Sequence, residues 1–147
     1  MRLIKKIQSF VRADRTVKIL FLRAYFLSAI VKFTLVFLPF RKVLNWQGKF
    51  NIESPDRQDD ASLEFRKSLQ SAMRLCDKYT FWKTECYTQA LTAKIILNKK
   101  GIPGTVYIGF TKNEKGEYKG HAWLRSYDRV ITGDTEKNMY TVHSFYS

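Results

Sequence analysis

Apolar residues recur every three or four positions in the first two-thirds of the chain, and more nearly every second position after that. Val17, Leu20, Ala24, Leu27, Val31, Leu35 and Leu38 make one charge-free stripe, which predicts a helix over 16–38. Pro39 stops it. The other side of this helix is also largely apolar but carries Lys18, Arg23 and Lys32. Its longest uncharged runs, Ala24–Val31 and Phe33–Phe40, fall short of the roughly 18–20 residues that span a bilayer. The pattern therefore predicts a helix buried against the domain and not a transmembrane segment. A helix on a membrane surface, with its basic residues on lipid phosphates, is the competing reading. Residues 1–15 form a short basic amphipathic piece. Residues 40–50 read as a basic connector, and Asn51–Asp60 as a polar, proline-containing loop whose last aspartates can cap the next helix. A second helix is predicted over 61–79, with Phe65, Leu69, Ala72 or Met73, and Cys76 on one face. Tyr79–Trp82 connects to a third, which starts at or beside Cys86, presents Cys86, Ala90, Ala93 and Leu97 at helical spacing, and runs to Lys100. Gly101 ends it and Pro103 blocks its continuation.

Beyond Pro103 the period changes. Thr105–Phe110 is rich in β-branched and aromatic residues and reads as a strand, followed by a hairpin loop over 112–117. Tyr118–Ser126 is the second strand, Tyr127-Asp128-Arg129 a turn, and Val130–Thr132 the third strand, ending at Gly133-Asp134. The tail, 135–147, shows no clear period. Helices followed by an antiparallel meander define an α+β class, and the shift from basic to neutral composition near residue 50 separates a helical N-terminal region (1–50) from the remaining domain (51–147).

Composition sharpens this outline. The chain has 147 residues and a formal net charge of +13. Residues 1–50 hold 11 Lys/Arg and one Asp, whereas residues 51–147 hold 15 Lys/Arg against 12 Asp/Glu. The basic character thus belongs to the N-terminal third and points to an anionic partner. Specific nucleic-acid binding is not expected, because the basic residues lie in apolar helices and not on an aromatic-interleaved sheet. Two cysteines make no disulfide framework and no cleavable signal sequence is evident, so a cytoplasmic location is expected, with membrane association through residues 1–45 as an extension. With no CxxC and no paired histidine spacing, neither a metal nor another cofactor is expected.

The candidate chemistry lies in Thr84–Ala93. A cysteine in the first turn of a helix faces N–H groups without intrahelical partners, which together with the helix dipole favour the thiolate and can hold an oxyanion. Downstream, Gly120-His121-Ala122-Trp123-Leu124 and Gly133-Asp134 supply an imidazole and a carboxylate on successive strands. Cys86, His121 and Asp134 are then nucleophile, base and orienting acid. Asp128 competes for the acid role, but its place in a turn favours Asp134. Cys76, among apolar neighbours, reads as a buried small hydrophobe, Trp82 as a packing residue, with a wall of the site beside the thiol as its alternative role, and His143 as a surface residue.

These residues in this order carry a family resemblance. The Cys86 helix, Gly101-Ile102-Pro103, Val106-Tyr107-Ile108-Gly109, His121-Ala122-Trp123-Leu124 and Asp134 resemble the transglutaminase-like cysteine peptidase of lasso-peptide biosynthesis in its stand-alone form, over about residues 60–135. Arg23-Ala24 and Leu38-Pro39-Phe40 resemble that family's apolar N-terminal helices. The resemblance implies a transglutaminase-like or papain-like core with the catalytic helix packed on an antiparallel sheet. It implies Cys86, His121 and Asp134 in the roles above, and removal of the leader from a ribosomally made precursor. It also implies a separate leader-recognition protein and an ATP-dependent cyclase as partners. Two other readings stay open: another thiol-dependent acyl or amide transfer on the same triad, and a non-catalytic basic adaptor at a membrane surface.

Overall fold

The computed structural model describes residues 11–80, 82 and 85–147, without the side chains of 135–137. Among the described residues four α-helices precede a four-stranded antiparallel sheet: α1 (Arg15–Phe37), α2 (Phe40–Gln47), α3 (Leu63–Tyr79), α4 (Cys86–Lys99), β1 (Thr105–Lys112), β2 (Tyr118–Ser126), β3 (Arg129–Thr132) and β4 (Thr141–Tyr146), with a 3-10 helix at Asp134–Met139 before β4. The sheet order is β3-β2-β1-β4. The α+β class holds. The amphipathic piece expected over 1–15 lies mostly outside the described residues, as do Phe81, Lys83 and Thr84.

α4 is the central helix. Thr88, Ala90, Leu91, Thr92, Ala93, Ile96 and Leu97 are buried around most of its circumference. The small residues Ala90 and Ala93 let neighbouring elements approach closely. Its end follows from Gly101, which at φ 67° lets the Ile102 N–H reach the Leu97 carbonyl at 3.1 Å and its own N–H reach that of Asn98 at 3.0 Å. Lys94, also buried, donates its ammonium to the Gly104 carbonyl at 2.6 Å, and burial lowers its pKa to about 8.

α1 packs Val17, Leu20, Ala24, Ser28 and Val31 onto the same core, close to the predicted stripe. By length and composition it is also apolar enough to cross a membrane, which the lengths of its uncharged runs did not suggest. Two expectations fail. Residues 40–47 are a helix and not a connector: Val43 and Leu44, one turn on from Phe40, bury its apolar face against the core. The tail is a strand, with Tyr146 opposite Val106 and Thr141 opposite Phe110, so β1 is an inner strand.

α3 matches its predicted face except at Arg66, which is fully buried. Its guanidinium bonds Ser62 Oγ at 3.0 Å, the Ser126 carbonyl at 2.9 Å and the Asp59 carbonyl at 2.6 Å. It also pairs with Asp128 at 2.9 Å and lies over the Tyr127 ring. This cluster ties the start of α3 to the β2–β3 turn. Arg66→Ala should cost roughly 2–4 kcal/mol, because it removes a fully buried side chain and leaves the Ser126 and Asp59 carbonyls without their donor. Denaturant unfolding monitored by circular dichroism would check this, and a loss below 1 kcal/mol would contradict it.

Candidate active site

β3 is short, and its pairing with β2 runs only from Ser126 to Leu124, opposite Thr132. The next stretch of β2 therefore presents its edge to other groups. The start of α4 takes that place. Cys86 is the first residue of the helix after Glu85 in extended geometry, and its half-buried sulfur lies under the influence of the backbone N–H groups of Ala122, Tyr87 and Cys86 itself, which favour its anion. The cysteine is thus joined to the residue next to His121 in the chain.

His121 is buried on β2. Its Nε2 lies 2.9 Å from the Gly133 carbonyl oxygen. A carbonyl only accepts, so Nε2 carries the proton, and Nδ1 is left as the basic nitrogen of the neutral ring. The ring packs against Tyr140, with centroids 4.8 Å apart, and against Trp123 at 5.8 Å. Opposite His121 on β1 is Gly109. A Cβ there would come within 2.9 Å of Tyr140 Cβ, so the missing side chain is what admits the tyrosine.

Gly133 is constrained twice. Its φ is 77°, and a Cβ would lie 2.7 Å from both the Ala122 carbonyl oxygen and Trp123 Cβ. Only glycine turns the chain so tightly over β2 and aims its carbonyl at the imidazole. Asp134 follows as the exposed first residue of the 3-10 helix.

Cys86, His121, Gly133 and Asp134 line one cleft of about 440 Å³, walled on the other side by Gln70, Met73, Arg74 and Asp77 of α3. The structure therefore brings the three predicted residues to one place. It separates Asp128 from them, since that carboxylate is engaged by Arg66, whose hydrogen bond holds it below the ordinary carboxylate range. His143 is exposed on β4, edge-on to Phe110, and Trp82 packs on Tyr25 at 4.8 Å. Cys76 is buried, with its thiol pushed up to about 12 by burial. Within the described residues no group of three or more His, Cys, Asp or Glu could hold a metal.

The thiol departs from expectation. Its pKa is raised above the ordinary 9.0, because burial outweighs the three N–H groups that oppose it, and Glu85 adds to the rise. The resting group is a thiol that needs a base. Sequence reasoning also missed the Gly133 carbonyl, Tyr140 and Gln89. Gln89 lies one turn into α4 beside the cleft and donates to Asp77 at 2.8 Å. The run of β-branched and aromatic residues over 140–146 was the available signal for Tyr140.

A cysteine opening a central helix against an antiparallel strand that carries a histidine defines a thiol acyl-transfer class of fold. The family model of the Transglutaminase-like superfamily matches residues 34–144, and the chain belongs to that superfamily, a cysteine peptidase or acyltransferase type of domain. No curated protein and no solved structure matches the chain.

Two measurements probe this site. Alkylation by iodoacetamide should label Cys86 and spare Cys76 in the native protein. Below its pKa the thiolate fraction rises tenfold per pH unit, so the Cys86 rate should climb throughout pH 7–9 without levelling. A rate that is flat from pH 5 to 7 would instead indicate a preformed thiolate–imidazolium pair. Separately, Gly133→Ala should lose about 1–3 kcal/mol of stability, and more than Gly101→Ala, where a Cβ meets nothing within 4 Å. Equal losses in thermal unfolding would show that the contact with β2 is unimportant.

Proposed function

We propose that the chain is a cysteine peptidase that removes the leader from a ribosomally made lasso-peptide precursor, with a separate recognition protein presenting the leader and a cyclase consuming the freed core. The observation carrying the catalytic part is the joint placement of Cys86 and His121 in one cleft, with His121 Nε2 committed to the Gly133 carbonyl. The order of residues from the Cys86 helix to Asp134, and membership of the superfamily, support the precursor-processing part.

In this reading His121 Nδ1 takes the proton of the Cys86 thiol as the sulfur attacks the carbonyl at the leader–core junction. The negative charge moves to the carbonyl oxygen. The N–H groups of Cys86, Tyr87 and Ala122, which surround the sulfur at rest, are the donors at hand for it. The imidazolium then protonates the leaving amine, which departs as the new N-terminus of the core. Water, deprotonated by the same imidazole, releases the leader as a free acid and restores the thiol. Throughout, Nε2–H stays on Gly133, and Asp134, next in the chain and lining the same cleft, is the carboxylate at hand as orienting acid.

The test is mass spectrometry of the precursor incubated with the chain and the recognition protein. One cut is expected, yielding a leader with a free carboxylate and a core with a free amine. Cys86→Ala and His121→Ala should each lower the rate at least about a thousandfold. Asp134→Asn should lower it less, because the Gly133 carbonyl already sets the tautomer. A cut that survives Cys86→Ala would refute the thiol mechanism, and a leader released as an amide adduct would refute hydrolysis.

A further inference from the structure

The outward face of α1 and the far end of α4 are unaccounted for by the cleft. Ile19, Leu22, Phe26, Ile30, Phe33 and Phe37 follow one another at steps of three or four, and each is between 43% and 68% exposed. They form a bare apolar stripe along most of a 23-residue helix. Single exposed apolar residues are ordinary, but a continuous stripe marks a binding surface. Beside it is a cavity of about 630 Å³ with Phe26, Ile30 and Ile96 in its apolar wall. Arg23, Lys99 and Lys100 also line it, and among the described residues no carboxylate does. The Lys100 ammonium lies over the Phe65 ring at 5.6 Å. α1 itself carries Arg15, Lys18, Arg23 and Lys32 and no acidic residue.

We propose that this face docks on the surface of a bilayer containing acidic phospholipid, with the α1 stripe in the headgroup–acyl boundary and a lipid phosphate held in the cavity by Arg23, Lys99 and Lys100. The charge pattern selects this occupant. An apolar stripe bordered by cations alone is the composition of an interfacial helix, and each basic residue adds attraction to an anionic leaflet. A second copy of the chain fits less well, because self-pairing of this face would bring two basic rims together. Full insertion of α1 would strip Val17, Leu20, Ala24 and Val31 from the core they fill, so the helix lies on the membrane and does not cross it. α4 has 14 residues, with Cys86 at one end and Lys99 at the other. The cavity is therefore roughly 20 Å from the sulfur along the helix axis, and the cleft stays open to a peptide while the face is docked.

The experiment is co-sedimentation of the full chain with vesicles of phosphatidylcholine alone or mixed with phosphatidylglycerol. Binding to the mixed vesicles is expected, falling with added salt, with little to the neutral ones. The triple variant Arg23→Gln/Lys99→Gln/Lys100→Gln should bind about a hundredfold more weakly, at several-fold per charge removed. Phe26→Ser/Ile30→Ser should also lose binding. Both variants change exposed positions, and an unchanged melting temperature and Cys86 alkylation rate would certify their fold. Cys86→Ala should bind like the wild type, so failure of the peptidase reading would leave this result standing. Absence of binding by the wild type, equal binding to neutral vesicles, or a triple variant that binds undiminished would each overturn the proposal. A dimer that forms through Phe26 and Ile30 and does not bind vesicles would also overturn it.

Discussion

The early end of β3 is the constraint on which the site depends. Three residues, Arg129, Val130 and Thr132, pair β3 with only the last part of β2, and the strand edge left beyond Leu124 is filled by two non-strand groups. One is the first turn of α4, whose Cys86 sulfur feels the Ala122 N–H. The other is Gly133, folded back over Trp123. A longer β3 would satisfy the Ala122 N–H with a strand carbonyl and push both groups away. A buried strand N–H needs a polar neighbour, and here the group that Ala122 N–H influences is the nucleophile candidate itself.

This arrangement links the charge state of the thiol to the packing of the fold. A helix N-terminus favours the anion, but the same close approach to β2 that supplies the third N–H also buries the sulfur. Burial wins, and the thiol is harder to ionise than a free one. The imidazole is prepared to compensate. Its Nε2 proton is anchored on a carbonyl and its ring is held by Tyr140 and Trp123, so little reorganisation separates it from accepting a proton at Nδ1. A neutral thiol with a fixed base resists adventitious oxidation, since oxidation begins from the thiolate.

Much of this was legible in the residues, and the parts that were not share a cause. α4 could be bounded because Gly101 and Pro103 punctuate it, and β1 to β3 because β-branched and aromatic residues lie between recognisable turns. Cys86, His121 and Asp134 could be grouped because their types and order suit one chemistry. α2 was hidden because Arg41 and Lys42 mask a short apolar face of Phe40, Val43 and Leu44. β4 was hidden because its aromatic residues fall on both faces and its partner, β1, is far upstream. The role of Gly133 is carried by a carbonyl, which every residue has, so only its position reveals it. The direction of the thiol pKa depends on burial against β2, a tertiary fact that local helix reasoning cannot contain.

α4 accounts for the economy of so small a domain. It is buried along nearly its whole length, so its two ends are fixed relative to each other by the core. One end places Cys86 at the open edge of β2, and the other places Lys99 and Lys100 beside α1. The dipole suits both: its positive end meets the sulfur and its negative end meets two ammonium groups. The cations at the far end are therefore stabilised where they stand even before they meet a ligand. A change that tilts α4 would move the sulfur and the basic rim together, so the position of the cleft above any surface docked at α1 is set by the same packing that sets the geometry of Cys86 and His121.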